Sequence, residues 1–277
     1  MNDYIARVSE NLGKKYAHEP EYLQCVNTWL EMIAPAADDP RYEKLDLITR
    51  MVEPERSFSF LIPWVDDQGC THTNHGYRVQ FNSAIGPYKG GLRFHPNVTA
   101  SVVKFLGFEQ TYKNALTGLP IGGAAGGADF DPRGRSNREI MRFCQSFMYA
   151  LYRYIGADTD VPAGDIGVGS REVGWLYGAY KKVTGRAESS ALTGKGLTYG
   201  GSRIRQAAAG FGTVYFLARM LEHQGETLEG KRLIVSGFGN MSWGVCRKAA
   251  ELGGKVVTLS GPDGYIYDPD GVATQEK

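Results

Sequence analysis

Residues 231–259 read KRLIVSGFGNMSWGVCRKAAELGGKVVTL, and this stretch decides the fold of the second part of the chain. The apolar run over 233–235 predicts a short buried strand, and a glycine-rich turn follows it directly. A helix with Val245, Ala249 and Leu252 on its apolar face is expected next, and residues 255–259 predict a second strand. The order strand, glycine turn, helix and strand is the opening of a doubly wound, or Rossmann, sheet.

The glycine turn has a spacing that suits a dinucleotide. Gly237 and Gly239 allow a tight turn and the close approach of a pyrophosphate. The helix that begins near Asn240 offers backbone N–H groups and the positive end of its dipole. Ser242 stands where the third glycine of the usual pattern would be, and it is small enough for helix and strand to pack closely. These residues predict a dinucleotide site, against the alternative of a tight turn without a ligand.

The sequence leaves the choice between NAD and NADP open. The acidic residue that usually ends the second strand and binds the ribose 2′-hydroxyl is absent. Asp263 lies nearby and would favour NAD, whereas Ser260 would tolerate the 2′-phosphate of NADP. A complete sheet of this kind has about six strands, so residues 201–277 are expected to form an incomplete, N-terminal part of the domain.

Composition narrows the class of protein. The chain has 277 residues, a net charge of +1 and 42% hydrophobic residues, which is ordinary for a globular protein. This charge favours neither a nucleic-acid partner nor a membrane surface. We find no signal-peptide pattern and no apolar run of the roughly 18 residues that a membrane span needs. The four cysteines and five histidines form no metal-binding pattern, so we expect a cytoplasmic protein without a metal.

The first part of the chain predicts a mixed α/β domain. Aromatic and β-branched residues predict strands over Arg56–Val65 and His75–Phe81. Helical spacing and a capping box predict helices over 3–16, 20–35 and 99–116, after Ser136 and after Ser170. We expect a mixed-sheet domain over 1–200, followed by the incomplete doubly wound domain over 201–277.

Three glycine-rich segments in the first part are unusual. They are GPYKGGLRFHP over 86–96, GGAAGGADFDP over 122–132 and DVPAGDIGVG over 160–169. Such glycines let a backbone approach a ligand closely, so we interpret these segments as backbone-lined sites and the last one as a loop. In order and spacing they resemble the amino-acid-binding half of a glutamate dehydrogenase of the hexameric, clostridial-like bacterial type, in the Glu/Leu/Phe/Val dehydrogenase family. The resemblance covers nearly the whole chain.

The resemblance implies roles for five residues. Lys89 would bind the side-chain carboxylate of the substrate, and Gln110 and Lys113 would bind its α-carboxylate. Asp165 would be the proton-transfer acid, and the carbonyl of Gly164 would accept from the substrate amino group. A dicarboxylic amino acid needs a cation for each carboxylate, and these lysines supply two.

Two positions depart from the family pattern. Ala125 occupies the place of the family's catalytic lysine, and Ala209 occupies the place of a threonine that contacts the cofactor. A methyl group neither titrates nor stabilises developing charge, and the loss of one such group commonly costs about 10²–10³ in rate. The sequence does not tell whether Ala125 is natural, engineered or an error.

The function that the resemblance implies is the reversible oxidative deamination of L-glutamate to 2-oxoglutarate and ammonia. The cofactor would be NAD or NADP, with a slight preference for NAD, and the assembly a homohexamer. Two alternatives stay open. The first is a non-catalytic dehydrogenase-like protein, which Ala125 and Ala209 favour; the second is a dehydrogenase for apolar amino acids, against which Lys89 argues.

Overall fold

The structure, a computed structural model, describes residues 3–272, apart from the side chains of residues 205 and 206. The chain divides into two compact units, Met1–Gly201 and Ser202–Lys277. The helices are α1 (Asp3–Lys15), α2 (Pro20–Ile33), α3 (Pro40–Lys44), α4 (Leu47–Val52), α5 (Ala100–Ala115), α6 (Asn137–Leu151), α7 (Ser170–Thr184), α8 (Arg205–His223) and α9 (Asn240–Glu251). The strands are β1 (Arg56–Val65), β2 (Thr71–Asn82), β3 (Tyr88–Phe94), β4 (Gly123–Ala128), β5 (Asp160–Gly164), β6 (Arg232–Ile234), β7 (Lys255–Gly261) and β8 (Gly264–Tyr267).

The first unit contains a five-stranded mixed sheet, as the sequence predicts. Its strand order is β1-β2-β4-β3-β5. The pairs β1–β2 and β2–β4 are antiparallel, whereas β3 runs parallel to both β4 and β5. Because side chains alternate along a strand, each face of the sheet has its own apolar core. One core includes Val79, Phe81 and Phe108 of α5, and the other includes Phe94 and Phe143 of α6.

The glycine-rich segments differ from the prediction. Residues 123–128 form a strand that is buried along its whole length, and residues 160–164 form strand β5 and not a loop. Glycine usually weakens a strand, but here the neighbouring chains leave no room for a side chain. A Cβ atom on Gly90 would lie 1.5 Å from the carbonyl oxygen of Ala124, and one on Gly123 would lie 2.1 Å from Oγ1 of Thr111. At Gly90 and Gly123, glycine is therefore required by contacts with neighbouring parts of the fold.

A buried ion pair crosses this sheet. The guanidinium of Arg78 on β2 donates from Nε to Oδ2 of Asp160 on β5, over 2.9 Å, and from Nη2 to Oδ1. Both side chains are fully buried. Arg78 also donates to the carbonyl oxygens of Gly90 and Gly91, at 3.3 Å each. Its side chain passes over Gly126, where a Cβ atom would lie 3.0 Å from its Cδ. Glycine on the intervening strand thus makes the crossing possible.

The second unit has the order of elements that the sequence predicts, but β6 is not the buried strand that we expected. Arg232 is exposed and Ile234 is 82% exposed, because β6 lies at the edge of the described three-stranded sheet and pairs there with β7 alone. Strand β6, the glycine turn, α9 and the parallel strand β7 follow in order, and β8 pairs antiparallel to β7. Helices α8 and α9 pack closely at Gly210 and Gly244, since a Cβ atom on Gly244 would lie 3.2 Å from Cα of Gly210. Val214, Cys246 and Val256 belong to the core beneath them. Within residues 3–272, no helix is both long and apolar enough to cross a membrane.

We predict that Asp160→Asn lowers the free energy of unfolding by about 3–5 kcal/mol, because it leaves the charge of Arg78 buried without a partner. Urea unfolding followed by tryptophan fluorescence measures the loss. The double variant Arg78→Met, Asp160→Leu is expected to recover part of it, since neither charge then remains in the core. As a control, Glu10→Gln breaks the exposed pair of Glu10 with Lys14 and leaves the unfolding curve unchanged. An Asp160→Asn curve that superimposes on the parent curve would contradict the prediction.

Candidate functional site

The candidate substrate residues lie on one face of the first sheet. Leu92 and Phe94 on β3 point into the core beneath α6 and α7, so Lys89, Gly91 and Arg93 point to the opposite face. On that face α5 packs mainly against β4 and β2. Lys89 and Arg93 on β3 are partly exposed. This open area beside α5 is the candidate site.

Lys89 is held by a residue far along the chain. Its Nζ donates to Oγ1 of Thr193 over 2.9 Å. Thr193 lies beside β5, because its backbone N–H donates to the carbonyl oxygen of Pro162 over 3.0 Å. Sequence reasoning did not assign a role to Thr193. No local pattern in the sequence singles out Thr193, because its contact with Lys89 joins positions 104 residues apart.

Asp165 immediately follows β5 and lies over β3. Oδ2 of Asp165 accepts from Nε of Arg93 over 2.8 Å, and both side chains are partly exposed. The absence of a side chain at Gly91 leaves room for Asp165, since a Cβ atom on Gly91 would lie 2.8 Å from Cβ of Asp165. The next residues form a tight turn in which the N–H of Val168 donates to the carbonyl of Asp165 over 2.9 Å. Gly164, the last residue of β5, pairs with β3 in the same place. Arg93 is a further candidate that the sequence did not single out.

Helix α5 brings Gln110 towards β3 and leaves Lys113 at its outer side. Nε2 of Gln110 donates to Oδ1 of Asn114 over 2.8 Å, and Nδ2 of Asn114 donates to the carbonyl of Lys89 over 3.1 Å. Lys113 is exposed and donates to Glu109 one turn earlier, over 3.0 Å. It borders a groove of about 610 Å³ between α2 and α5, which is lined mainly by apolar side chains. Gln110, but not Lys113, is thus tied to the strand that carries Lys89.

Ala125 is enclosed in the core between β4 and α5. It is 3% exposed and lies opposite Val79 on β2. Helix α5 comes close at Gly107, where a Cβ atom would lie 3.4 Å from the backbone nitrogen of Ala125. Position 125 therefore contributes a methyl group to the packing and no group that moves a proton.

The glycine turn of the second unit fits a dinucleotide phosphate. Gly237 has a φ of +134°, which favours glycine, and a Cβ atom there would lie 2.5 Å from Oγ of Ser242. A Cβ atom on Gly239 would have no neighbour within 4 Å, so this backbone is open to a ligand. Helix α9 begins at Asn240 without a side-chain cap on its first N–H groups. Those groups and the helix dipole suit a phosphate.

The other candidate cofactor residues lie around this turn and on α8. Ser260 of β7 forms a bridge with Gly237, and its Oγ is 3.3 Å from Oγ of Ser236. Asp263 is exposed in the turn between β7 and β8. Ala209 is exposed on α8, and its carbonyl accepts from the hydroxyl of Thr213. Across residues 3–272, no group of three or more His, Cys, Asp or Glu side chains is arranged to hold a metal ion.

Two family models match most of the chain. The model described as Glu/Leu/Phe/Val dehydrogenase, dimerisation domain, matches residues 54–182. The model described as Glutamate/Leucine/Phenylalanine/Valine dehydrogenase matches residues 200–276. The first match contains the whole candidate substrate site apart from Thr193, and the second contains the glycine turn.

Curated relatives align with the chain over nearly its full length. An NAD-specific glutamate dehydrogenase of Clostridium symbiosum is 56% identical over 278 residues, which is 100% of this chain and 62% of the relative. One of Porphyromonas gingivalis is 59% identical over 267 residues, which is 96% of this chain and 60% of the relative. The chain thus spans about three fifths of the length of these curated relatives.

Solved structures extend the likeness to the fold. A glutamate dehydrogenase structure matches with a TM-score of 0.97 and 56% identity, over 99% of this chain and 62% of the other. The glutamate dehydrogenase of Plasmodium falciparum matches with a TM-score of 0.93 and 48% identity, over 99% of this chain and 58% of the other. The three glycine-rich segments over 86–96, 122–132 and 160–169 all lie within the first family match. The chain belongs to the Glu/Leu/Phe/Val dehydrogenase family.

Proposed function

We propose that this chain carries the substrate site and the start of the cofactor domain of a glutamate dehydrogenase. The reaction is the reversible oxidative deamination of L-glutamate to 2-oxoglutarate and ammonia with NAD or NADP. The observation that carries the proposal is the contact of Lys89 with Thr193, on the sheet face that also holds Asp165. In this proposal residues 1–200 bind the substrate and form the oligomer, and residues 201–277 bind the cofactor.

The cations of the site favour a dicarboxylate. Lys89 is partly buried on a rigid strand and offers a charged donor, which an apolar amino-acid side chain does not need. Gln110 and Lys113 on α5 would hold the α-carboxylate. Lys113 would first give up its exposed pair with Glu109, and such pairs are weak. The distal carboxylate would therefore distinguish glutamate from leucine.

The proton-transfer residues of the proposal are at the end of β5. The carbonyl of Gly164 would accept from the substrate amino group, and Asp165 would exchange a proton with it. Arg93 donates to Oδ2 of Asp165, which orients the carboxylate, and Oδ1 would be the atom available for proton exchange. A nicotinamide cofactor, when bound, would accept or return the hydride.

The cofactor site is built from Gly237, Gly239 and the N-terminus of α9, with Ser260, Asp263 and Ala209 as further candidates. The names of the relatives support either nicotinamide cofactor. Those of Clostridium symbiosum and Bacteroides fragilis are called NAD-specific, whereas that of Helicobacter pylori is called NADP-specific. We propose NAD, because the relatives of Clostridium symbiosum and Porphyromonas gingivalis are called NAD-specific and Asp263 is an exposed carboxylate in the turn between β7 and β8.

The assembly that we propose is a homohexamer in the cytoplasm. The family model over residues 54–182 is described as a dimerisation domain, and a structural relative at 32% identity is described as a hetero-hexameric glutamate dehydrogenase from Thermus thermophilus. The free cysteines Cys25, Cys70, Cys144 and Cys246 fit a reducing compartment.

A second candidate function is a dehydrogenase-like protein that binds a dicarboxylate without turnover. The observation that favours it is Ala125, whose buried methyl group leaves the site without the family's catalytic amine. The contacts of Lys89 with Thr193 and of Asp165 with Arg93 are formed without that amine, so these residues would remain in place to bind a dicarboxylate. The two candidates share a substrate and differ in rate.

We predict that the chain binds glutamate and 2-oxoglutarate and that Lys89→Ala weakens both at least about tenfold, because the distal carboxylate loses a charge-assisted hydrogen bond. Calorimetry on the 277-residue chain measures the affinities, which should fall as salt rises. Lys182→Ala, which removes an exposed lysine from α7, is the matched control. If leucine binds as well as glutamate, the apolar amino-acid alternative is the better one.

A second prediction concerns Ala125 and is tested in a chimera that joins residues 1–277 to the remaining length of the Clostridium symbiosum relative. Ala125→Lys should raise glutamate-dependent reduction of NAD by at least about 10², because it restores a preorganised cation at the site. Ala115→Lys adds the same charge at an exposed position of α5 and should leave the rate unchanged. Equal rates for the Ala125→Lys chimera and its parent would show that position 125 is not the catalytic position.

A further inference from the structure

Lys195 is a buried lysine outside the set of residues discussed above. It is 7% exposed, and its Nζ donates to the carbonyl oxygen of Leu192. The same amine lies 5.4 Å from the centre of the Tyr177 ring. No carboxylate of residues 3–272 forms an ion pair with it, and burial lowers the pKa of this amine, because a charged form loses its hydration. Burying a lysine costs free energy, so the contacts that Lys195 makes indicate its role.

The chain folds back around the stem of Lys195. We call residues 192–201 the Thr193 loop. The N–H of Gly201 donates to the carbonyl of Gly196 over 3.0 Å, which closes the loop on itself. Gly200 has a φ of +97°, and a Cβ atom there would lie 3.5 Å from Cε of Lys195. The ring of Tyr199 stacks on that of Tyr177, with centroids 6.2 Å apart. Lys195 therefore lies at the centre of this loop.

The contact with Leu192 places Lys195 next to the substrate residues. Leu192 is the residue before Thr193, and its side chain is buried in the core. Thr193 is thus fixed twice: the preceding carbonyl is held by Lys195, and its own N–H is held by Pro162. With its backbone fixed in this way, the Thr193 hydroxyl is positioned to accept from Nζ of Lys89.

We propose that Lys195 is a positioning residue for the distal-carboxylate site: it fixes Thr193, and Thr193 orients Lys89. The proposal rests on the proposed function, in which Lys89 binds the side-chain carboxylate of the substrate. Lys195 itself does not touch the substrate. Without its amine, the carbonyl of Leu192 is released, Thr193 moves, and the hydrogen bond from Lys89 to the Thr193 hydroxyl is lost. The discrimination between a charged and an uncharged side chain then falls.

The experiment measures the binding of glutamate and of norvaline to the full chain. Their side chains are similar in length, but only that of glutamate carries a carboxylate. Calorimetry gives the ratio of the norvaline and glutamate dissociation constants. Lys195→Met keeps the apolar stem and removes the donor, and we expect it to lower this ratio roughly tenfold, the effect of one hydrogen bond to a charged group. Lys182→Met on α7 is the matched control and should leave the ratio unchanged.

A double-mutant cycle separates positioning from a general structural role. Thr193→Val removes the hydroxyl at nearly constant volume and should lower the same ratio. If Lys195 acts through Thr193, the double variant loses no more than Thr193→Val alone. A general loosening of the fold would weaken the binding of both ligands equally and leave the ratio of their dissociation constants unchanged. Thermal unfolding checks that the variants fold. If Lys195→Met does not fold, Lys195→Leu, which also lacks a donor, takes its place with the same two outcomes.

The possible failures are distinct. A parent chain that binds glutamate no better than norvaline overturns the proposed function. A parent chain that discriminates, together with an unchanged ratio in Lys195→Met or additive losses in the double variant, overturns the role of Lys195 and leaves the proposed function standing.

Discussion

The buried pair of Arg78 and Asp160 is the constraint on which the first unit depends. It ties strands β2 and β5, between which β4 and β3 lie in the sheet. Such a pair is stable only when both charges are fully satisfied, and the carbonyls of Gly90 and Gly91 complete the set of acceptors. An arginine side chain crosses a neighbouring strand only where that strand has no side chain in the way. The glycine at position 126 of β4 is thus explained by this pair, since a Cβ atom there would lie 3.0 Å from Cδ of Arg78.

The same constraint supports the candidate substrate site. Because β3 and β5 are held in register, Lys89 on β3 lies on the same side of the sheet as Asp165, which follows the last residue of β5. Each is then oriented by a partner from a different segment, Lys89 by Thr193 and Asp165 by Arg93. A rigid sheet with a few long-range polar contacts is the arrangement that positions a small charged ligand well.

The sequence predicted elements whose signals are local. Strand β1 was predicted with the bounds that the structure has, and the capping box at Ser136 starts α6 as expected. Strands β3, β4 and β5 were not predicted, because their glycines are explained by contacts between strands and with α5, and no local pattern contains those contacts. The resemblance supplied Lys89 and Asp165, but Thr193 lies 104 residues from Lys89, and only the fold brings the two together.

Ala125 separates binding from chemistry in this fold. Its methyl group packs against Val79 and the helix that passes at Gly107, so an alanine satisfies the core at this position. The pair of Arg78 with Asp160 and the contact of Lys89 with Thr193 are both formed without any group from residue 125. These contacts of the candidate site therefore form without an amine at position 125, and the role proposed for such an amine is in the reaction itself. That is why the same chain supports two candidate functions which share a ligand and differ in rate.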